Sequence, residues 1–453
     1  MTLSEQVCDS IARLQWEDLP PSTRKAACQV LLDASGVILA ASGLSEEVRP
    51  FLALAKASGS GPSAVLGTDT LVPPAAAAFA NGAMAHALDY EDAFDIRPGH
   101  PNASLVPALI ALAQSDGPVD GPRFLTALVV GCDFACRLGV AQRQAMEVGG
   151  WYPPPILAGL GAAVGAAKLL GLDGNGIRDA LSLALCQVTM PGEIKHSPGT
   201  VIRAVRESFP AQAAVTSAFL AREGVAGFEQ PLEGKDGFFA LYSGGRFEPA
   251  DLTDDLGARF WIDHLTFKAW PSCRGTHPFI EMALNLRERP GFDLHRIASI
   301  SVTGDEIQRM LFEPGDRKRA PEVLIDAKFS AQFCTALALV RGRVDLDSFT
   351  PASLADSAIL GVAAKTQAFV DPESAWHPGS GGAMEIKLDD GTALSAEVHN
   401  ARGCPERPLS ENELVAKFVD CASRAQVPPS DPCQMAQAIL SLADCEDVGA
   451  LFA

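Results

Sequence analysis

Apolar residues recur at helical spacing through the first 260 positions of the chain. Val7, Ile11 and Leu14 follow Ser4, a candidate N-cap, and Pro20-Pro21-Ser22 then opens a helix whose Ala27, Leu31, Ala34 and Ile38 line one face. The same period predicts helices over 74–88, 104–115, 122–138, 154–170, 176–186 and 211–223, dense in Ala and Gly, so their backbones approach closely. The text changes after Asp263. Residues 297–303 alternate in the manner of a short strand, with the buried face left open. Met384–Leu388 and Leu394–Val398 alternate on either side of Asp390-Gly391, which predicts a hairpin. Helical spacing at 276–287 and 330–340 places helices among these strands, and the period returns from Ser410 in segments 410–425 and 432–442.

The expected fold is mainly α: an all-helical domain of residues 1–262 and 405–453, closed by a terminal tail that packs back on it, and a smaller α+β lid domain of residues 263–404. A length of 453 residues agrees with more than one core. The 47% hydrophobic content excludes a disordered chain.

Charge narrows the partners. Lys and Arg number 36 against 55 Asp and Glu, a formal net charge of −19, which argues against nucleic acid and anionic membrane surfaces. An anionic small substrate must then meet a local basic cluster. The start lacks a basic region leading into an apolar run, so a cytoplasmic protein is expected, and the apolar stretch 153–167 is too short to span a bilayer. The 11 cysteines read as reduced core thiols, and Cys132 with Cys136 lacks a second ligand pair for zinc.

Three polar stretches carry candidate chemistry. An Ala-rich helix ends in His86-Ala87-Leu88-Asp89-Tyr90-Glu91-Asp92 and is followed by His100-Pro101-Asn102, either a solvated loop or the wall of a site. One helical turn separates His86 from Asp89, so His86 is expected to orient Asp89. Lys268-Ala269-Trp270-Pro271-Ser272-Cys273-Arg274-Gly275-Thr276-His277 runs into a helix, an anion pocket or a junction capped by Thr276. Arg203 and Arg206, beside Lys195 and His196, present forked donors to a carboxylate or form a solvated basic face.

Taken together with the Gly/Ala-rich 154–172 segment, Lys328-Phe329-Ser330 and Leu414–Phe418, these stretches resemble the MmgE/PrpD family over nearly the whole chain. That family contains 2-methylcitrate dehydratase, cis-aconitate decarboxylase and iminodisuccinate epimerase. The resemblance implies a helical domain with an α+β lid, an active site between them, a homodimer, and action on a small di- or tricarboxylate with neither metal nor organic cofactor. Asp89, His100 and His277 match polar site residues of the family, and Lys268 and Arg274 match its lid motif. The chain departs from many members at Ala93 in place of Thr, Tyr152 in place of His, Arg203 in place of Lys, and Arg206 in place of His.

The implied chemistry is proton transfer at carbon next to a carboxylate, which needs a base, an acid and cations for the developing charge. Asp89, His100, Tyr152 and His277 are the catalytic candidates, with both histidines expected to titrate near neutral pH and Tyr152 acting only with a cation such as Arg203 beside it. Arg203, Arg206, Lys268, Ser272 and Arg274 are the candidates for binding substrate. A lyase that expels water or carbon dioxide is the leading expectation. An epimerase and a catalytically inactive carboxylate-binding protein are the alternatives.

Overall fold

The computed structural model describes every residue except Pro98 and Pro198. Its contacts divide the chain into two units. The first comprises Met1–Ala87, Glu91–Leu265 and Ser410–Ala453, and the second Leu88–Tyr90 and Thr266–Leu409. The boundaries therefore fall at 265/266 and 409/410 rather than at 262/263 and 404/405, and three residues after the Ala-rich helix belong to the second unit.

The first unit is helical except for an antiparallel pair of two-residue strands, Ser63–Ala64 and Leu71–Val72, which the all-helical expectation lacked; its helices include α1 (Leu3–Arg13), α2 (Pro21–Leu44), α3 (Arg49–Ala57), α4 (Pro74–Ala87), α5 (Asn102–Ala113), α6 (Gly121–Ala141), α7 (Pro153–Leu169), α8 (Gly174–Leu185), α9 (Ile202–Val205) and α10 (Ser208–Arg222). Local chemistry starts several of them. Asp120 and Asp173 cap α6 and α8 by accepting from Arg123 N and Gly176 N. The cap of α1 is Thr2 rather than Ser4, with Glu5 closing a capping box. Ser4 is buried instead, and its hydroxyl donates to Glu233 at 2.5 Å.

α7 packs against α5, α6, α8 and α10, and α4 against α2, α5 and α10. Two glycines permit this closeness. A Cβ on Gly161 would stand 2.4 Å from the Gly131 carbonyl, where α7 crosses α6, and one on Gly82 would stand 2.6 Å from the Glu207 carbonyl. The C-terminal helix Glu411–Ala422 packs on α2, with Lys417 paired to the buried Asp33 at 2.6 Å. Helices α2 and α6 are long and apolar enough to cross a membrane; 78% and 94% of their apolar windows are buried within the protein, as core helices are.

The second unit holds a four-stranded sheet in the order Thr366–Val370, Ile297–Gly304, Gly382–Leu388, Ala393–Val398. The first pair is parallel and the others antiparallel. Gly391, at φ 86°, supplies the left-handed residue of the hairpin. Ile297, Ile300 and Val302 are the buried side chains of their strand, and a register shift between Ile297 and Ser299 explains why the first two are three apart. Helices His277–Arg287 and Ala331–Arg341 pack against each other and against the sheet. The second begins at Ser330, whose hydroxyl accepts from Phe333 N.

Candidate active-site residues

In the first unit, α4 carries His86 into the interior one residue before its end. An antiparallel bridge between Phe94 and Gly99 folds the following loop back, so that His100 returns to His86 with ring centroids 4.9 Å apart. Glu91 serves both rings: its Oε1 pairs with His86 Nδ1 and lies 3.0 Å from His100 Nδ1. The Asp92 carbonyl lies 2.9 Å from the same His100 nitrogen. On the other side of His86, Arg206 Nη1 is 2.5 Å from Nε2, Arg206 Nε is 3.0 Å from Glu207 Oε1, and Ser104 donates to Glu207 Oε2 at 2.6 Å. His86, Glu91, Arg206 and Glu207 are buried, whereas the His100 side chain is 13% exposed.

This arrangement corrects two expectations. His86, assigned by spacing to Asp89, is held by Glu91 and Arg206. Arg206, expected to face solvent or substrate, contacts Glu207 and His86 in the interior, and α4 comes near enough for this because residue 82 is glycine. Burial raises the Glu207 carboxyl above its ordinary value, with Arg206 and Ser104 pulling it down.

Tyr152 precedes α7 and is fixed by its N–H to the Met190 carbonyl at 2.8 Å. Its ring is approached by three cations: Arg206 at 5.2 Å, Lys195 at 5.8 Å and Arg203 at 5.9 Å from the centroid. The structure thus brings Tyr152, Arg203 and Arg206 together, and through Arg206 and His86 connects them to His100.

In the second unit, Lys268 is wholly buried; its ammonium pairs with the Asp89 carboxylate and donates to the Asp89 carbonyl at 3.0 Å. Asp89 adopts φ 49°, a left-handed conformation that aspartate tolerates better than most residues. Lys328 donates to the Leu88 carbonyl at 2.5 Å. These two lysines account for the grouping of Leu88–Tyr90 with the second unit. Lys268, expected as a carboxylate clamp, is thus a partner of Asp89 in this structure.

Arg274 is also occupied internally, donating to the carbonyls of Ala401 at 2.7 Å and Arg402 at 2.9 Å and to Asn400 Oδ1 at 3.2 Å. Ser272 Oγ and Thr276 Oγ1 face each other at 2.8 Å, and Thr276 donates to the Cys273 carbonyl. Thr276 makes no side-chain cap of the helix, contrary to the junction reading.

His277 Nε2 lies 3.0 Å from the Trp270 carbonyl and 3.3 Å from that of Ser272, and Nδ1 lies 3.5 Å from Arg274 Nη1. Burial holds its pKa well below the ordinary 6.5, and Arg274 and Lys268 push it further down. That environment opposes the titration near neutral pH expected of His277.

Sequence reasoning omitted Glu91, Glu207 and Lys328 as site residues. Glu91 stood in the acidic run after His86, and Lys328 in a stretch already singled out; Glu91 is made a candidate by the fold-back that returns His100 to His86, and Lys328 by its contact with Leu88, 240 residues away.

Two buried networks of ionisable groups thus stand in the chain, one in the helical unit and one in the α/β unit. The family models for the MmgE/PrpD N-terminal and C-terminal domains match residues 5–250 and 270–442. The cis-aconitate decarboxylase-like protein oryM of Aspergillus oryzae is 27% identical over 100% of this chain and 96% of its own length. Cis-aconitate decarboxylase of Mus musculus is 26% identical, covering 79% of this chain and 73% of its own. The mitochondrial 2-methylcitrate dehydratase of Yarrowia lipolytica is 25% identical, covering 73% and 66%. The chain belongs to the MmgE/PrpD family.

Proposed function

We propose that the protein is a lyase of the dehydratase or decarboxylase type, acting on a small di- or tricarboxylate by proton transfer at carbon next to a carboxylate. The observation that carries this reading is the gathering of Lys195, Arg203 and Arg206 around Tyr152 in a chain of net charge −19. Cations collected in an acidic protein suit an anionic substrate and the enolate-like charge that develops when its carbon loses a proton. Arg203 and Lys195 are assigned to the carboxylates, since Arg206 is engaged with Glu207 and His86.

His100 is assigned as the base. It is the member of the His86–Glu91–His100 group whose side chain reaches the surface. Tyr152, among the cations, is the candidate acid. Relatives named as a decarboxylase and a dehydratase support the lyase reading. The proposal includes no metal. His86, Glu91 and His100 bring donor atoms within 4.8 Å of one another, but the carboxylate already joins the two rings and a guanidinium stands against His86, where a divalent cation would be repelled.

The test is incubation in deuterated water with cis-aconitate, 2-methylcitrate and related carboxylates, followed by NMR. Loss of water or carbon dioxide from any of them supports the lyase. Exchange with inversion and no loss would make the protein an epimerase, and binding without any of these changes would make it an inactive homologue.

A further inference from the structure

We propose that Glu91 is a positioning residue that holds His100 with its proton on Nδ1, leaving the lone pair on Nε2 for chemistry. The proposal rests on the assignment of His100 as base.

The argument starts at Arg206, because a guanidinium does not give up its proton in a protein. Its Nη1 faces His86 Nε2 at 2.5 Å, so that nitrogen must be the acceptor and the ring proton of His86 sits on Nδ1. His86 Nδ1 faces Glu91 Oε1 and therefore donates to it. The same oxygen lies 3.0 Å from His100 Nδ1, and the Asp92 carbonyl lies 2.9 Å from it. Both neighbours of His100 Nδ1 accept and neither donates, so a neutral His100 carries its proton there. Nε2 has no hydrogen-bond partner among the described residues.

Each link leaves one choice for the next. Glu207, held by Ser104, fixes Arg206; Arg206 fixes the tautomer of His86; Glu91, receiving His86, sets its carboxylate 3.0 Å from His100 Nδ1, beside the Asp92 carbonyl that accepts from the same nitrogen. A base that must take a proton from carbon needs its lone pair in one place before substrate arrives, and an orienting carboxylate serves that purpose.

The direct test is 15N NMR of the full chain labelled at histidine, with His100 assigned by its absence from the spectrum of His100→Gln. The expected wild-type signature is a protonated Nδ1 and an unprotonated Nε2. Glu91→Leu, which takes away the carboxylate and leaves Nδ1 only the Asp92 carbonyl, should raise the share of His100 in the Nε2–H form that a free histidine side chain prefers. Turnover should then fall at least about tenfold with KM little changed, and Glu91→Asp should restore both tautomer and rate.

A wild-type His100 protonated on Nε2, or an unchanged tautomer in Glu91→Leu, would overturn the proposal whatever reaction the protein performs. A shifted tautomer with undiminished turnover would uphold the positioning role and overturn the assignment of His100 as base. If Glu91→Leu does not fold, Glu91→Ala, which also removes the acceptor, is read in the same way, with a shifted tautomer expected and an unchanged one contradicting.

Discussion

Removing one member of a buried ion pair strands the other in a medium that solvates it poorly. Lys268 and Asp89 are both wholly buried, so Lys268→Met is expected to cost about 3–5 kcal/mol in chemical denaturation. Wild-type stability with weaker substrate binding would restore Lys268 to the role of a substrate clamp. Asp92 gives a second prediction. Burial, with Asp33 and Glu91 adding to it and Asn102 and His100 opposing, pushes its carboxyl up to about 7. Asp92 Oδ1 and Asn102 Oδ1 are both buried without a hydrogen-bond partner, and a carboxyl proton supplies the donor that an ionised pair lacks. Between about pH 4 and 7 the folded chain thus holds a proton that the unfolded chain has lost. Stability from this group falls as pH rises through that window, by at most about 4 kcal/mol. His277 acts in the opposite direction: its depressed pKa means that the unfolded chain takes up the proton first, so its contribution falls as pH drops below 6.5. Asp92→Asn keeps the shape of the protonated acid without titrating, so the wild type should lose stability relative to this variant from pH 4 to 7. Parallel stability curves would contradict that.

At the scale of elements, the helices of the first unit are set by how closely their backbones meet. Gly161→Val would drive a branched side chain into the Gly131 carbonyl and Ala135, and should destabilise the protein by about 3 kcal/mol, the upper end of overpacking. Gly361→Ala, in the helix Ser357–Ala364 with open space around its Cβ, should be neutral or stabilising by up to about 1 kcal/mol. Equal losses in the two variants, measured by thermal unfolding, would refute the packing argument. These helices were legible in the sequence because their signals are local: the apolar period, the prolines in their first turns, and caps such as Ser330 and Ser410. The Asp390-Gly391 hairpin was legible for the same reason. The buried face of 297–304 was not, because a bulge changes its phase. The occupation of Arg206 and Arg274 was equally hidden. His86, which faces Arg206, lies 120 residues away and the partners of Arg274 lie 126–128 away, and no spacing rule distinguishes an arginine that binds substrate from one held inside the fold.

For the whole molecule, a strongly negative chain gathers cations where an acidic substrate would need them, and sets a histidine of defined orientation in the same helical unit. In the proposed reaction the protein moves a proton on a carboxylate substrate with His100 as base, and loss of water or carbon dioxide follows. A misplaced or absent general base lowers rate by roughly 10²–10⁴ without removing the cations that bind substrate. The most direct measurement is therefore a time course by proton NMR, in deuterated water, of wild type and His100→Gln side by side on the same carboxylates. Elimination or decarboxylation is expected of the wild type, and a loss of about 10²–10⁴ in turnover of the variant, with its thermal stability and substrate affinity retained. Full turnover in His100→Gln would contradict it.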